Sequence, residues 1–369
     1  MQCCHFKECG SCTLEGSYEE QKAFKLNAIS SKFSEFYDKE FEFFASNEKN
    51  YRIRAEFGIW HEADKIYYTM HSKNKGERIF VRECPKVCEQ IVSLMPILLN
   101  ELESDAKLKH RLFGVEFISC SSGVLATLLY HKKLEATFLE HIVNLANKLD
   151  ITIIARSRGQ KILSHELNLI DELKIDGRIY KFHLSENAFI QPNKAVNEKM
   201  ITWAKINLAK GGKDLLELYC GHGNFTIPLS ENFKNVLATE ISKSSIFYAL
   251  KNCDINDTKN IKFLRLSADE LISAFKNERE FNRLKDINLH EYDFSHILVD
   301  PPRAGLEPSV INFIKNYENI IYISCNPDSL YENLIQISQT HEVVKFAVFD
   351  QFAHTHHVEC GVLLRKKNG

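Results

Sequence analysis

Residues 214–225 read DLLELYCGHGNF, an apolar strand pattern that runs directly into the glycine turn Gly221-His222-Gly223. Glycine permits a tight turn and lets a ligand come close to the backbone. Because the third glycine of a dinucleotide fingerprint is missing, the turn predicts no cradle for a pyrophosphate. At this point a turn that merely connects a strand to a helix is an open alternative.

The next predicted strand strengthens the reading of the turn as a ligand site. NVLATE, residues 235–240, ends in Glu240. An acid at this strand tip can accept hydrogen bonds from both ribose hydroxyls of a nucleoside. The layout favours S-adenosylmethionine over NAD, with a solvated surface acid as the alternative for Glu240.

Outward from this stretch the chain alternates short apolar runs with helical patterns. The runs are DLLELYC, NVLATE, IKFLRLS, HILVD, IIYISC, VVKFAVF and CGVLLRK. Such alternation is typical of βαβ units and predicts an α/β fold with a mostly parallel sheet over residues 188–369. A helix is expected to precede the first strand, over 193–211, and to end at Gly211–Gly212.

The upstream half has a different character. Residues 37–187 contain alternating or β-branched runs such as YRIRAEFGIWHE and GVLATLLYHKK, which predict a mixed, β-rich domain with two interposed helices. Residues 1–36 combine a cysteine cluster, MQCCHFKECGSC, with one helical stretch. We therefore expect three segments, with a boundary near residue 188.

Bulk composition excludes a membrane-spanning chain. The 369 residues are 44% hydrophobic and 26% charged, as in soluble proteins. No run approaches the roughly 18 apolar residues of a membrane helix, and the first residues lack a signal-peptide core. We expect a cytoplasmic protein. The net charge of −2 means that any nucleic-acid binding must come from a local basic patch.

Two later strand ends carry candidate chemistry. HILVDPPR places Asp300 at a strand exit, and the two following prolines stiffen the backbone. IIYISCNP places Cys325 at the tip of the next strand. Ligands of open α/β sheets bind at this edge, so a thiolate there would face the cleft. An ordinary strand-exit turn and a packing cysteine are the alternatives.

HTHHVECGVLL adds Glu359 just before the last predicted strand. A solvated acid is the alternative for Glu359. His354, His356 and His357 could form a metal site, although no carboxylate or cysteine spacing favours one. A loop that lines the substrate site is the preferred interpretation of the histidines.

These residue types suit methylation of uracil carbon 5. A thiolate that adds to carbon 6 makes an enolate, and the nucleophilic carbon 5 can then attack a sulfonium methyl group. A base must next remove the carbon 5 proton so that the thiol can leave. Cys325 fits the nucleophile, and Glu359 fits the base. The target base must leave its stack to reach the cleft.

The motifs LLELYCGHGNF, ATEIS, ILVDPPRAGL, YISCNP and FDQFAHTHHVECGVLL together resemble the tRNA (uracil-5-)-methyltransferases. Upstream, SENAFIQPN, YRIRAEFGIWHE and LLYHKKL extend the match to nearly the whole chain from about residue 40. The resemblance implies a class I, Rossmann-like S-adenosylmethionine methyltransferase domain behind an amino-terminal RNA-binding domain. It also implies a T-loop uridine, conventional tRNA position 54, as the target.

The resemblance carries residue roles. It implies Cys325 as nucleophile and Glu359 as base, in agreement with the chemistry above. It further implies cofactor contacts at Gln191, Tyr219, Asn224, Glu240 and Asp300; those of Gln191 and Asn224 rest on the resemblance alone.

The amino-terminal cysteines depart from the usual tRNA enzyme. Cys3, Cys9 and Cys12, with Cys84, resemble the iron–sulfur ligand set of the ribosomal-RNA uracil-5-methyltransferases. Thiolates suit a [4Fe-4S] cluster or zinc, and thiols that bind nothing are the third alternative. Cys4 and Cys88 leave the choice of ligands open.

This departure leaves a ribosomal-RNA enzyme and a non-catalytic iron–sulfur RNA-binding protein as alternatives. The ribosomal-RNA enzymes carry an RNA-binding barrel before the cysteine cluster. Here the cluster starts at residue 3, which favours the tRNA T-arm as the partner. We also expect other RNAs with a T-loop as partners, and a monomeric protein. Expected RNA contacts combine cations and aromatics. They are Arg52, Arg54, Phe113, His131 to Lys133, Arg156, Arg158 and Lys161.

Overall fold

The protein is described by a computed structural model over residues 3–187, 189–208 and 213–367. The strands are β1 (Glu42–Phe44), β2 (Arg54–Glu62), β3 (Lys65–His71), β4 (Arg78–Phe80), β5 (Leu112–Cys120), β6 (Gly123–Tyr130), β7 (Thr152–Ser157), β8 (Gln160–Leu163), β9 (Leu169–Ile175), β10 (Arg178–Leu184), β11 (Asp214–Leu218), β12 (Val236–Thr239), β13 (Ile261–Leu264), β14 (Phe294–Val299), β15 (Asn319–Ser324), β16 (His341–Phe349) and β17 (Glu359–Lys366). The helices are α1 (Tyr18–Phe33), α2 (Glu89–Ser104), α3 (Ala106–Lys109), α4 (Phe138–Leu149), α5 (Lys194–Ile206), α6 (Thr226–Leu229), α7 (Lys243–Ile255), α8 (Ala268–Phe275), α9 (Pro308–Ile314) and α10 (Pro327–Ile337). None of the described helices has the length and apolarity to cross a membrane.

The carboxyl half forms an eight-stranded sheet in the order β1-β16-β17-β15-β14-β11-β12-β13. Strands β11 to β15 run parallel, and β17 inserts antiparallel between β15 and β16. The sheet confirms the mostly parallel α/β pattern. Its strands are buried on both faces, as expected when helices cover both sides.

The amino-terminal half contains a seven-stranded sheet in the order β4-β3-β2-β5-β6-β7-β8. Its pairs are antiparallel except β6 with β7, which α4 connects as a crossover helix. The apolar faces of α2 and α4 close one core against this sheet, with Met95 and Ile142 fully buried. The β-rich pattern thus folds around a core of its own.

The β9–β10 hairpin joins the two halves. It forms a separate two-stranded sheet whose apolar face packs with α5. Asn252 on α7 and Asn256, the residue that follows this helix, accept hydrogen bonds from the backbone amides of His183 (2.6 Å) and Lys181 (2.9 Å). The expected boundary at residue 188 and the expected helix end at Gly211–Gly212 both lie outside the described residues.

The amino-terminal segment that precedes residue 45 also packs on the large sheet. β1 pairs in parallel with β16, with Glu42 opposite Ala347, although the sequence pattern placed residues 37–187 together in the β-rich domain. Pairing covers what would otherwise be a long exposed edge of β16. Ile29 and Phe33 of α1 enter the core of the same sheet. The amino-terminal segment is therefore part of the carboxyl half in space.

Candidate active site

The parallel strands deliver the predicted side chains to one edge of the large sheet. Tyr219 follows β11, Glu240 follows β12, Asp300 follows β14 and Cys325 follows β15. Because carboxyl ends of parallel strands meet at one edge, the four positions share a rim. Antiparallel β17 begins at this rim with Glu359. The topology thus brings together the catalytic candidates and three of the five cofactor candidates.

The glycine turn is held in a backbone conformation that few residues adopt. Gly221 and Gly223 have φ values of 56° and 91°, and Tyr219 has φ 64°. A β-carbon at Gly223 would lie 3.1 Å from Ile227 Cδ1, so a side chain there is disfavoured twice. A left-handed tyrosine is uncommon and marks a constrained segment. The turn therefore exposes a shaped backbone at the rim.

Glu240 is fixed by its own surroundings. Its two carboxylate oxygens accept backbone N–H bonds from Gly221 (3.1 Å) and Ser242 (2.7 Å). Each carboxylate oxygen can accept a second hydrogen bond. The carboxylate is thus oriented beside the glycine turn with capacity for two hydroxyl donors, as the ribose of a nucleoside requires.

Gln191 and Asn224 line one narrow cavity beside the turn, together with Asn197 and His222. The amides of Asn224 and Asn197 exchange two hydrogen bonds, of 2.9 and 3.0 Å. Gln191 is buried, and its Oε1 atom has no hydrogen-bond partner among the described residues. A buried amide oxygen without a donor fits a ligand that carries one, such as the ammonium group of S-adenosylmethionine.

Cys325 and Glu359 meet through strand register. Ser324, the last residue of β15, pairs with Cys360 of β17, so the next pair in that register is Cys325 with Glu359. Glu359 is 2% exposed, whereas Cys325 is half-buried. A half-buried thiol therefore lies beside a carboxyl that solvent scarcely reaches.

Burial and the neighbouring carboxylates shift the ionisation of both groups. Burial, and next the carboxylates of Glu359 and Asp300, raise the pKa of the Cys325 thiol to about 11, while Arg303 opposes the increase. Burial and Asp300 raise the pKa of Glu359 well above its usual range, and Arg303 again opposes. Negative charge on the pair is therefore costly unless a cation or a substrate compensates it.

A further acid lies beneath the rim. Glu217, inside β11, is 1% exposed, and burial, with Asp300 adding to it, raises its pKa to about 8. Burial raises the pKa of Asp300 to about 7. Groups that titrate near neutrality are common in active sites. The sequence analysis missed Glu217, and the signal was a charged residue inside the otherwise apolar run DLLELYC.

The histidines of the 350–358 loop have separate environments. His354 is buried and its ring Nε2 lies 2.8 Å from the Glu48 carbonyl oxygen, whereas the ring Nδ1 of His357 lies 3.5 Å from Arg303. Within residues 3–187, 189–208 and 213–367, no group of three or more His, Cys, Asp or Glu side chains is arranged to hold a metal ion. His357 faces the rim, and His354 anchors the loop.

The four predicted cysteine ligands are electrostatic neighbours. Cys9 and Cys12 are buried, and Cys3 and Cys84 are half-buried. Burial raises the pKa of the Cys12 thiol; the Lys86 ammonium opposes this increase, and Cys84 and Cys9 add to it. Burial likewise raises the pKa of Cys3, with Cys84 and Cys9 among the contributors. The fold therefore brings residues 3–12 and 84 into one neighbourhood.

The β-rich sheet presents a basic, aromatic cavity of about 830 Å³. The rings of Phe113 and His131 stack there with centroids 3.8 Å apart. Lys133 and Arg158 are exposed on its lining, while Arg156 and Lys161 are paired with Glu116 and Glu186. Most of the RNA-contact candidates thus share this surface.

Comparison with known proteins finds close relatives along the whole chain. The profile of the family described as tRNA (Uracil-5-)-methyltransferase matches residues 17–367. The "tRNA/tmRNA (uracil-C(5))-methyltransferase" of Campylobacter concisus is 66% identical over 367 residues, with 100% of both chains covered. The protein of the same description from Sulfurimonas denitrificans is 46% identical over 370 residues, again with 100% of both chains covered.

A solved structure shares the fold. The Pyrococcus abyssi tRNA (uracil-54, C5)-methyltransferase in complex with S-adenosyl-L-homocysteine is 20% identical, with a TM-score of 0.72 over 96% of this chain and 86% of that one. The predicted α/β methyltransferase fold is thereby confirmed.

The raised pKa of Cys325 predicts slow alkylation at neutral pH that accelerates as pH rises towards 11, because only the thiolate reacts. Glu359→Gln removes a carboxylate and should accelerate alkylation at a given pH, whereas Arg303→Gln removes a cation and should slow it. Mass spectrometry of the peptides after iodoacetamide treatment measures both, with buried Cys360 as the unreactive internal control. Rapid, variant-independent alkylation at neutral pH would contradict this electrostatic coupling.

Proposed function

Because the chain belongs to the tRNA (uracil-5-)-methyltransferase family, we propose that it is an S-adenosylmethionine-dependent enzyme that methylates carbon 5 of a uracil in tRNA. The observation that carries the proposal is the pairing of Cys325 with Glu359 on the same rim as Glu240 and the glycine turn. A nucleophile and a base on one rim with a nucleoside-binding turn meet the needs of this reaction.

The substrate uracil is that of the tRNA T-loop, at conventional position 54, where methylation forms 5-methyluridine. The relatives that match from end to end are described as tRNA/tmRNA enzymes, which supports tRNA over ribosomal RNA. The second class of RNA in that description agrees with recognition of a T-loop rather than of a whole tRNA. We therefore propose a cytoplasmic location, where such RNAs are found.

The reaction starts at Cys325. Its thiolate adds to carbon 6 of the flipped uracil, which forms a carbon–sulfur bond and moves the electron pair of the carbon 5–carbon 6 double bond towards carbon 5 and the carbon 4 oxygen. Arg303 acts on Cys325 in the direction that favours this thiolate. S-adenosylmethionine supplies the methyl group that carbon 5 then takes up.

Glu359 completes the reaction. Its carboxylate removes the proton from carbon 5, the electron pair restores the double bond, and the Cys325 sulfur leaves. Arg303 acts on Glu359 in the direction that favours the ionised carboxylate.

Residues of the rim and the adjoining cavity hold the cofactor. Glu240 would accept the ribose hydroxyls, and the amide oxygen of Gln191, which has no partner among the described residues, would accept from the methionine ammonium group. Tyr219 and Asn224 flank the glycine turn, and Asp300 of the DPP segment would complete the set of cofactor contacts. When ionised, the half-buried carboxylate of Asp300 would also stabilise the positive charge of the sulfonium group.

The basic, aromatic cavity of the β-rich sheet is the proposed surface for the T-arm. The Phe113–His131 stack offers a platform for an unpaired base, while Lys133 and Arg158 suit phosphates. Because the whole chain has a net charge of −2, this local cluster supplies the electrostatic attraction.

For Cys3, Cys9, Cys12 and Cys84 we propose an iron–sulfur cluster, with zinc or no metal as the alternatives. The donor chemistry and their electrostatic proximity support this proposal, although the described thiols are not arranged around a metal position. No step of the methylation passes through the cluster.

The covalent mechanism predicts opposite outcomes for the two catalytic positions. Cys325→Ala abolishes turnover and leaves no adduct, whereas Glu359→Gln accumulates a protein–RNA adduct that withstands denaturant, because methyl transfer precedes the blocked proton removal. Transcribed tRNA with tritiated S-adenosylmethionine and denaturing gels provide the assay. The double variant is the control and should form no adduct. Normal turnover in Cys325→Ala would refute the covalent mechanism, whereas a wild-type protein without turnover would favour a non-catalytic RNA-binding role.

The substrate assignment predicts loss of T-loop 5-methyluridine from tRNA when the gene is deleted, with ribosomal RNA unchanged. Mass mapping of both RNA classes measures this, and complementation with the Cys325→Ala variant should not restore the modification. Unchanged tRNA with a lost ribosomal methyl group would favour the ribosomal-RNA alternative.

The cluster proposal predicts charge-transfer absorption in the visible spectrum of anaerobically purified protein. Cys12→Ser should remove most of this absorption because it deletes a ligand, whereas Cys253→Ser, a buried cysteine of the other half, should leave it unchanged. Metal analysis distinguishes iron and sulfide from zinc; a colourless, metal-free protein would contradict both metal alternatives.

A further inference from the structure

The loop of residues 350–358 connects β16 to β17 and ends at the proposed base. Glu359 is the first residue of β17, so this loop leads directly into its backbone, while the register with β15 fixes the place of the residue on the rim. At the other end of the loop, Phe349 pairs with Glu359 across the two strands. The residues between them are held by long-range contacts rather than by a helix or a sheet.

A buried polar unit holds the start of the loop. Asp350 is fully buried, and its two carboxylate oxygens accept from Lys25 Nζ (2.6 Å) and from the Tyr18 hydroxyl (2.8 Å). Lys25 also donates to the Phe352 carbonyl oxygen at 3.1 Å. The Tyr18 oxygen in turn accepts from the amide of Ser46 at 2.7 Å. Every contact in this unit is directional.

The next loop residues are held from the same side. The amide of His354 donates to Oε1 of Gln21 at 3.1 Å, and the Ala353 carbonyl oxygen accepts from the Tyr51 hydroxyl at 3.0 Å. Gln21 lies on α1 between Tyr18 and Lys25 and is 1% exposed. One face of α1 thus holds the side chain of Asp350 and the loop backbone at residues 352 and 354.

The far end of α1 contacts the segment that follows the nucleophile. Lys32 is paired with Asp328 at 2.8 Å, and Glu35, just beyond α1, accepts from Tyr331. Both partners belong to α10, which begins two residues after Cys325. A single helix therefore contacts the arm that carries Cys325 and the arm that carries Glu359.

Stability alone does not account for the buried charges. The free energy needed to remove an ion pair from water offsets much of the attraction between its two charges. Apolar side chains of equal volume therefore often stabilise a protein at least as well. A carboxylate that is bonded at both oxygens, however, fixes position and orientation as apolar packing does not. The arrangement therefore favours a geometric role.

We propose that Tyr18, Lys25 and Asp350 form a positioning unit that sets the 350–358 loop and thereby aims the Glu359 carboxylate at the carbon 5 proton. The inference rests on the proposed function. A base must lie within hydrogen-bond reach of the proton it removes, and a displacement of about 1 Å can slow a step about 100-fold. The unit acts on proton removal and not on addition of Cys325 to carbon 6.

The test compares Tyr18→Phe and the double variant Lys25→Met with Asp350→Asn, which leaves no lone buried charge. Lys22→Met, on an exposed position of the same helix, is the matched control. Single-turnover reactions with transcribed tRNA and tritiated S-adenosylmethionine separate methyl transfer from release of methylated RNA. We expect methyl transfer within about 2-fold of wild type and release slowed about 10- to 100-fold, with methylated adduct accumulating and the tRNA concentration at half-maximal methyl transfer unchanged.

Other outcomes decide against the inference. Folded variants with wild-type release, or with both steps slowed equally, would overturn the positioning unit in favour of a purely structural role. If the double variant does not fold, Tyr18→Phe, which keeps the ion pair, decides by the same two rates. A wild-type chain without adduct or methylated product would overturn the proposed function itself, whereas wild-type turnover with unaffected variants would overturn only this inference.

Discussion

The antiparallel register of β15 and β17 is the constraint on which the site depends. Ser324 pairs with Cys360, and this pairing sets Cys325 beside Glu359 although 34 residues separate them in the chain. A slip of one residue would turn every side chain of β17 to the opposite face of the sheet and remove Glu359 from the rim. Gly361 helps to fix this register, because a β-carbon there would lie 2.8 Å from the Trp203 ring and 2.9 Å from that of Phe349.

Charge coupling at the rim follows from this geometry. Burial, and next the carboxylates of Glu359 and Asp300, raise the pKa of the Cys325 thiol in the free protein, and Arg303 opposes this increase. A substrate that excludes water and accepts charge on its carbon 4 oxygen changes this balance only when bound. The Cys325 thiol is thus less reactive in the absence of RNA. This suits a half-buried cysteine that would otherwise react with other electrophiles.

The sequence predicted the parts of this arrangement that depend on local pattern. Apolar runs that end in Glu240, Asp300 and Cys325 place those residues at one edge of a parallel sheet by topology alone. Positions set by distant contacts were not predictable from local pattern. Tyr219 carries a positive φ, and β1 pairs with a strand some 300 residues later. Likewise, no pattern in FDQF reveals that the carboxylate of Asp350 is bonded to α1.

The same distant contacts give the amino-terminal cysteines a physical relation to the active site. The residues directly after Cys12, Thr13 and Leu14, donate their backbone amides to the His354 carbonyl oxygen, at 2.9 and 3.1 Å. Any metal held by Cys12 would therefore restrain the loop that leads to Glu359, because the two residues that are hydrogen-bonded to this loop directly follow Cys12 in the chain. Such a restraint needs no electron transfer, in keeping with a methylation that neither oxidises nor reduces its substrates. The contacts of Thr13 and Leu14 thus tie the segment that follows Cys12 to the loop that leads to Glu359, whether or not the cysteines bind a metal.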